Sequence, residues 1–324
     1  MKENDIRPEA IFREYLELCE KDAKIFFKNT QLEQLNCPAC ETKGEVVFEK
    51  NGFTYDECPF CGTLYVNPRP SALSFQNFYQ NSESSKFWAT KFYRETEIAR
   101  RKSLWVPKAK RVNELIKCLK IIDASIVDIG GGYGTFIEEL NNINSQKKVI
   151  IEPTKHLSEI CRNKKINVIE KFLENVDIKD LPKKKIMFTS FELFEHLHSP
   201  QKFLEKLNHL MKDGDYFYFT TLSGLGVDIQ SLWSNSKSVS PPHHLNFFNP
   251  KSIIKILEKN NFKVVEVNTP GKLDIDIMNN NLDFIKDKFW KTFTKFSTSE
   301  EKEKMQAFLS DLGYSSHMEV ICKK

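Results

Sequence analysis

At 324 residues, with 40% hydrophobic and 28% charged side chains, the chain is long enough for one large domain with an appendage, or for two ordinary domains, and its balance is that of a globular protein. Its 48 basic side chains exceed the 44 acidic ones by only four, which leaves no general electrostatic footprint for nucleic acid. No stretch approaches the run of about 18 apolar residues needed for a membrane span, and the polar start Lys2-Glu3-Asn4-Asp5 lacks the core of a signal peptide, so a reducing cytoplasm is the expected compartment and the eight cysteines need not pair.

In chain order, Pro8 to Lys28 reads as an amphipathic helix with Ile11, Tyr15, Leu18, Ile25 and Phe26 near one face, and with Cys19 inside it as a small buried hydrophobe. A cysteine-rich segment follows from Asn36 to about Pro70. Ser71 to Cys118 reads as helical and is rich in Phe, Trp and Arg. The short basic runs Arg100-Arg101-Lys102 and Lys183-Lys184-Lys185 read as solvated surface. From Ile121 onward, β-rich apolar runs alternate with helical stretches, the pattern of βαβ units in a parallel sheet. The expected strands are Ile126 to Ile129, Lys148 to Ile151, Val168 to Ile169, Lys185 to Thr189, Tyr216 to Thr221, Lys263 to Asn268 and His317 to Cys322.

Cys37-Pro38-Ala39-Cys40 and Cys58-Pro59-Phe60-Cys61 are two C-x-x-C pairs with 17 residues between them. Two such knuckles can bring four thiolates into a tetrahedron around zinc. Gly62 suits a tight turn after the second knuckle. Between the knuckles, Val46, Val47, Phe48, Phe53 and Tyr55 flank Asn51-Gly52, a hairpin signal. Knuckle, hairpin, knuckle is a zinc ribbon. Paired disulfides do not suit a reducing compartment, and four protein ligands leave no open position for catalysis, so the zinc is expected to be structural. Cys19, Cys118, Cys161 and Cys322 lie outside the pattern and are expected to be buried or inert.

The run Asp128-Ile129-Gly130-Gly131-Gly132-Tyr133-Gly134 ends a strand and precedes a helix from Thr135 to Leu140. Glycines at a strand end let the backbone approach a ligand closely, and open α/β sheets bind ligands at the carboxyl ends of their strands. A dinucleotide fingerprint starting at Gly130 would need glycine where Thr135 stands, and the G-K-[ST] of a phosphate loop is absent. What remains, Asp128-x-Gly130-x-Gly132-x-Gly134, resembles the class I S-adenosylmethionine-dependent methyltransferases. The resemblance implies that Asp128 reaches the methionine end of the cofactor and that Gly130, Gly132 and Gly134 clear space for it. Glu152 ends the next strand about 20 residues after the glycines, where an acid can accept both ribose hydroxyls.

Phe191-Glu192-Leu193-Phe194-Glu195-His196 follows the fourth strand and leads to Ser199-Pro200, an N-cap and first helical residue. This loop resembles the E-x-L-E-H motif of a large branch of the same family, with Phe194 in place of leucine. The resemblance implies that it borders both methyl donor and acceptor, with Phe191 and Glu192 on the cofactor side. Met187-Phe188 stand where the family usually has an aspartate early in the strand. Ser240-Pro241-Pro242-His243-His244-Leu245-Asn246-Phe247-Phe248 matches a segment whose histidine, ahead of two aromatics, faces the acceptor in that branch; His244 fits that position best. Methyltransferases with an N-terminal cysteine quartet resemble nearly the whole chain, including Asn67-Pro68-Arg69-Pro70, and several of them modify sugars in glycan pathways.

These readings imply an α/β fold with a Rossmann-like, seven-stranded, mostly parallel sheet and helices on both faces. The expected division is an N-terminal helix over 1–35, a zinc ribbon over 36–70, a helical connector over 71–118 and an S-adenosylmethionine-binding domain over 119–324. The expected cofactors are S-adenosylmethionine and structural Zn2+, and the expected partner is a small-molecule or nucleotide-sugar acceptor. His244 is the first candidate for a base and His196 the second, because histidine titrates near neutral pH; His198 is expected to be structural. The alternative is an RNA methyltransferase whose ribbon recognises the substrate. Against it, five acids (Glu41, Glu45, Glu49, Asp56, Glu57) face two bases (Lys43, Lys50) between the outer cysteines, a poor charge balance for RNA.

Overall fold

The computed structural model describes residues 2–140 and 147–324. Its strands in chain order are β1 (Leu32–Glu33), β2 (Glu45–Lys50), β3 (Phe53–Glu57), β4 (Leu64–Val66), β5 (Arg69–Pro70), β6 (Ser125–Ile129), β7 (Lys148–Ile151), β8 (Asn167–Ile169), β9 (Ile186–Phe191), β10 (Tyr216–Leu222), β11 (Asn246–Phe247), β12 (Lys263–Asn268) and β13 (His317–Lys323). Seven of them form one sheet in the order β12-β13-β10-β9-β6-β7-β8. β10, β9, β6, β7 and β8 are mutually parallel, and β13 runs antiparallel to both of its neighbours. The fold is therefore the expected Rossmann-like α/β architecture with a mixed, mostly parallel sheet, and the seven expected strands are those found.

Side-chain alternation along these strands builds two cores, as a sheet covered on both faces requires. Val127, Ile129, Val149, Ile151, Phe188, Phe217, Phe219 and Val320 point to one face, against Phe203, Leu204 and Leu207 of the helix Pro200–Leu210 and Ile253, Ile256 and Leu257 of the helix Pro250–Lys259. Ile126, Ile150, Met187, Tyr218 and Ile321 point to the other, against Val112, Leu115 and Ile116 of the helix Val106–Cys118 and Phe136 and Ile137 of the helix Thr135–Glu139. Met187 and Phe188 thus fill opposite cores, which leaves no room for an acid at either place.

The N-terminal helix spans Glu9–Phe27, but its buried stripe differs from the expected one. Ile11, Tyr15, Cys19, Ala23 and Phe27 are inside at four-residue steps, while Ile25 is 72% exposed. The cause is its two successive partners. The first half packs on Phe92 and Trp88, and Phe27 packs on Phe53, Phe75 and Phe78. Cys19, Cys161 and Cys322 are buried, whereas Cys118 is exposed. The connector is helical, in two pieces. Ala72–Asn81 is followed by a helix from Glu83 to Cys118 that includes π-helical turns at Trp88–Phe92 and Arg101–Trp105.

The cysteine segment forms its own antiparallel sheet, in the order β11-β4-β3-β2, with the expected hairpin at Asn51-Gly52. One edge of this sheet, β11, is contributed by residues about 180 positions later, pairing Asn246 with Tyr65 and Phe247 with Leu64. Cys37, Ala39, Cys58 and Tyr65 also join the first core of the large sheet. The ribbon is built into the α/β body along the loop that carries His244. Among the described residues, no helix is long and apolar enough to cross a membrane.

Candidate active site

The carboxyl ends of β6, β7, β9 and β10 converge on one edge of the large sheet, where a parallel sheet opens its crevice. Asp128, 2% exposed, ends there on β6, and its Oδ1 accepts a hydrogen bond from Thr189 Oγ1 of β9 at 2.7 Å. Burial pushes the Asp128 carboxyl up to about 7, against the lowering effect of that bond. Gly130, Gly132 and Gly134 all have positive φ, which the absence of a side chain permits. They serve different ends. A Cβ on Gly134 would lie 2.7 Å from Ile166 Cδ1, so this glycine permits tight helix packing. A Cβ on Gly130 would lie 3.1 Å from Leu193 Cδ2, which brings the glycine loop against the loop after β9. A Cβ on Gly132 would meet nothing within 4 Å, so this position faces open space.

Glu152 sits at the end of β7, buried, beside that space. Its Oε2 accepts from the Gly132 amide at 3.1 Å and its Oε1 from the Thr154 amide at 2.9 Å. Burial raises its pKa while these amides pull it back. The connector walls the same loop: the Tyr93 and Tyr133 rings stack in parallel, with centroids 3.6 Å apart, and Tyr93 hydrogen-bonds Thr135. Arg101 pairs with Glu138 and Glu139 just beyond. Arg101 opens one π-helical turn and Tyr93 directly follows the other, irregularities that often mark functional sites. Nothing in the local sequence pattern points to either residue.

The loop after β9 divides its residues. The Phe191 ring turns into the second core, against Phe136 at 4.5 Å and Tyr218 at 5.7 Å, so its side chain is a packing element. Glu192, at φ 53°, accepts from Lys108 Nζ at 2.8 Å and from Thr220 Oγ1 at 2.7 Å, with His317 Nδ1 at 3.6 Å. Burial alone would raise Glu192, but Lys108 and His317 hold it well below the usual carboxylate range. Its partner Lys108 lies on the connector helix, where the sequence gives no local sign of it.

Glu195, His196 and His244 form a second cluster, each offering one ligand atom within 4.8 Å of the others. The two candidate histidines are thus brought together, with ring centroids 4.7 Å apart. His244 donates from Nδ1 to the Ser238 carbonyl at 2.6 Å, which leaves the lone pair on Nε2. Burial takes its pKa down to about 4 and also lowers that of His196, which favours the neutral form of each ring. Glu195, 2% exposed, accepts from Thr221 Oγ1 at 2.8 Å; burial and the nearby Glu192 raise it. His198 instead hydrogen-bonds the Pro70 carbonyl at 2.9 Å, the structural role expected of it.

The ribbon frames this cluster. Tyr55 Oη donates to the His244 carbonyl at 2.7 Å, Lys50 Nζ to the Ser236 carbonyl at 2.8 Å, and Asn51 Nδ2 to the Pro241 carbonyl at 3.4 Å. Arg69, 1% exposed, reaches the His198 carbonyl, the Leu245 carbonyl and Asn246 Oδ1, tying the loop after β9 to the His244 loop. That is the structural sense of Asn67-Pro68-Arg69-Pro70. In the cysteine quartet, Cys37–Cys61, Cys40–Cys58 and Cys40–Cys61 Sγ atoms are 3.5, 3.4 and 3.5 Å apart. Disulfide sulfurs would be about 2 Å apart. Thiolates on a zinc ion at 2.3 Å would be about 3.8 Å apart, so the quartet fits a tetrahedral metal with a small expansion. Both knuckles share a turn, with Glu41 N bonded to the Cys37 carbonyl and Gly62 N to the Cys58 carbonyl.

Comparison with known proteins places this geometry. A model for a methyltransferase domain matches residues 91–267, more than half of the chain. The mitochondrial ubiquinone biosynthesis O-methyltransferase of Dictyostelium discoideum is 22% identical over an alignment of 163 positions that covers 44% of this chain and 51% of that protein. The chain thus spans about half the length of the curated relative it matches. Among solved structures, a methyltransferase of Thermotoga maritima described as a possible histamine N-methyltransferase is 17% identical, covering 73% of this chain and 97% of its own, with a TM-score of 0.42. An S-adenosylmethionine-dependent methyltransferase of Archaeoglobus fulgidus is also 17% identical, covering 72% and 100%, with a TM-score of 0.44. With the glycine loop, the seven-stranded sheet and the matched domain in agreement, the chain belongs to the methyltransferase domain family.

Proposed function

We propose that the protein methylates a hydroxyl of a small-molecule acceptor, of the sugar or nucleotide-sugar class, held between the cofactor loop and the Glu195-His196-His244 cluster. S-adenosylmethionine supplies an electrophilic methyl group on a sulfonium sulfur. The buried carboxylates Asp128 and Glu152 bind its polar ends, Gly132 leaves room beside them, and the chain shields the reacting centre from water. His244, as base or orienting group, acts on the acceptor oxygen, with His196 second. The relative from Dictyostelium is named as an O-methyltransferase, which favours oxygen as the accepting atom.

The observation that carries the small-molecule reading is where the ribbon spends its contacts. Its edge pairs with β11 and its side chains hold the His244 loop from inside the molecule. A ribbon used as the wall of an acceptor pocket does not need the basic, stacking surface that RNA delivery requires. The test is transfer of labelled methyl from S-adenosylmethionine to a panel of nucleotide-activated sugars and free phenols, with total RNA alongside. Label in a small molecule and none in RNA is expected; label in RNA alone refutes the reading.

The four thiolates are assigned to one structural zinc ion. Asn249, the N-cap of the helix Pro250–Lys259, donates from Nδ2 to the Cys61 carbonyl at 2.7 Å, so the second knuckle also anchors the main core. Cys58→Ser is expected to remove the zinc from a content of about one per chain. It should lower turnover through the loosened His244 loop while leaving cofactor affinity within about threefold, because Asp128 and Glu152 are held independently of the ribbon. Metal analysis and calorimetry check both statements. A metal-free wild-type protein of full stability would remove zinc from the account.

A further inference from the structure

We propose that Arg7 and Arg100 form a cationic subsite beside the His243-His244 loop, and that this subsite takes the phosphate oxygens of a phosphorylated acceptor. The ligand class rests on the reading of this face as the acceptor side; the subsite itself does not.

The two arginines arrive from distant parts of the chain. Arg100 follows Tyr93 by seven residues on the connector helix, two turns on and so on the same side, and precedes Lys108 by eight. Tyr93 meets Thr135 of the cofactor loop, and Lys108 meets Glu192 and Thr220. Both ends of this stretch are therefore fastened at the carboxyl edge of the sheet, with Arg100 between them. Its guanidinium lies over the rings of Trp88 and Phe92, at 5.4 and 6.0 Å, and these rings stack 4.2 Å apart. Arg7 is delivered by the short helix Glu3–Ile6, which packs on the Tyr93–Arg100 stretch. Its guanidinium lies 5.4 Å over Phe12, which in turn meets Phe92 at 6.1 Å. The same aromatic floor continues through Tyr15, 6.2 Å from Phe92 and 5.6 Å from the His243 ring. The N-terminal segment is itself tied down: the Glu3 amide donates to Asp276 Oδ2 at 2.7 Å, and Asn280 Nδ2 donates to Glu3 Oε2 at 3.0 Å.

Charge sets these two arginines apart. Arg101, Arg111 and Arg162 each pair with a glutamate, whereas among the described residues no acid pairs with Arg7 or Arg100. Arg100 Nε is buried without a hydrogen-bond partner, and a terminal nitrogen reaches the Ile6 carbonyl only at 3.5 Å, the limit of a useful bond. An aromatic face attracts the charge but supplies no oxygen to the edge donors. Burial, and after it the nearby Arg7 charge, takes the Arg100 guanidinium down to about 10. Glu192 does not neutralise the pair, because its Oε1 is taken by Lys108 and Thr220. Arg7 also adds to burial in lowering the His244 pKa, so its charge reaches the candidate base. Two like charges in a partly dry space repel each other unless an anion lies between them. Donor type then selects the anion. Guanidinium forks match phosphate oxygens two at a time, and two forks suit a group of more than one negative charge.

Pyrophosphate and uridine diphosphate are the probes, titrated by calorimetry into the full chain. Binding of each to the wild type is expected, weakened about 10- to 100-fold by Arg7→Gln or by Arg100→Gln. Arg100→Lys, which keeps the charge and loses the fork, should fall between wild type and Arg100→Gln. Arg7 lies on a partly exposed segment, so Arg7→Gln tests the subsite without disturbing a core. Calorimetry with S-adenosylmethionine serves as the folding control, and all three variants should bind it like the wild type. Uridine diphosphate binding about tenfold tighter than pyrophosphate identifies a nucleotide-linked acceptor, and equal affinity a simpler phosphate ester; either supports the subsite. The proposal is overturned if neither anion binds the wild type, or if both glutamine variants bind as the wild type does. It is also overturned if the glutamine variants lose affinity for S-adenosylmethionine instead, because the arginines would then serve the cofactor's own carboxylate. Arginine-dependent anion binding with no methyl transferred to any hydroxyl would count against the proposed reaction and not against the subsite. Methylation of the true acceptor at the same rate and KM in wild type and Arg7→Gln would count against the subsite and leave the reaction standing.

Discussion

His244→Ala is expected to lower turnover by about 10²- to 10⁴-fold, the usual contribution of a positioned group acting on the proton of a reacting hydroxyl. Affinity for S-adenosylmethionine should change by less than about twofold, because His244 bonds to Ser238 and sits beside His196 and Glu195, apart from the Gly132–Glu152 contact. The expected pattern is therefore a fall in kcat with the cofactor dissociation constant preserved, measured by single-turnover methyl transfer and by calorimetry. The rescue distinguishes two ways in which His244 can act. If it is a base, added imidazole restores part of the rate to the alanine variant. If it only orients the acceptor, added imidazole leaves the rate unchanged. His196→Ala with the larger loss would instead place the acting ring on the loop after β9. Equal, negligible losses from both would leave alignment alone to carry the rate, as for a neutral amine acceptor.

The residues legible in the sequence share a physical reason. β6, β7 and β9 are buried on both faces of the sheet, so they read as short uninterrupted apolar runs with sharp polar ends, and their limits were predictable to within about two residues. The cysteine pairs and the glycine spacing are equally local: the geometry they require is set by residues close in the chain. The same holds for Glu152, whose place follows from the end of β7.

What escaped depends on contacts distant in the chain. Lys108 meets Glu192 across 84 positions, and the ladder of β4 and β11 joins residues about 180 positions apart in the chain. No periodicity in the helix Val106–Cys118 marks one of its lysines as buried, because lysine usually stays outside. Glu195 illustrates the limit from the other direction. It stands inside the recognised Glu192-x-x-Glu195-His196 motif, yet only the fold turns it inward to Thr221 and toward His244, while Glu192 turns to Lys108. Phe191 shows the reverse, a motif residue whose ring belongs to the core. A motif identifies the loop; the direction of each side chain is decided by what packs around it.

Gly132→Arg is expected to weaken S-adenosylmethionine binding about 100-fold or more, roughly 2.7 kcal/mol, while the protein stays folded. At φ 53° the arginine pays the left-handed backbone penalty of about 1–2 kcal/mol, which a domain of this size tolerates. No atom lies within 4 Å of its Cβ, so the side chain does not strike the core. It enters the space beside Glu152, and its guanidinium is drawn to a carboxylate that accepts from the Gly132 amide. That space and that carboxylate are the ones assigned to the cofactor. The hairpin supplies a matched control. Gly52 has φ 78° and open space around its Cβ, but lies in the ribbon turn. Gly52→Arg should therefore impose a similar backbone cost, seen as a similar fall in thermal stability, and leave cofactor affinity unchanged. Calorimetry on the two variants separates local strain from occupation of the site: equal affinity in both would mean that the space beside Glu152 is not where S-adenosylmethionine binds.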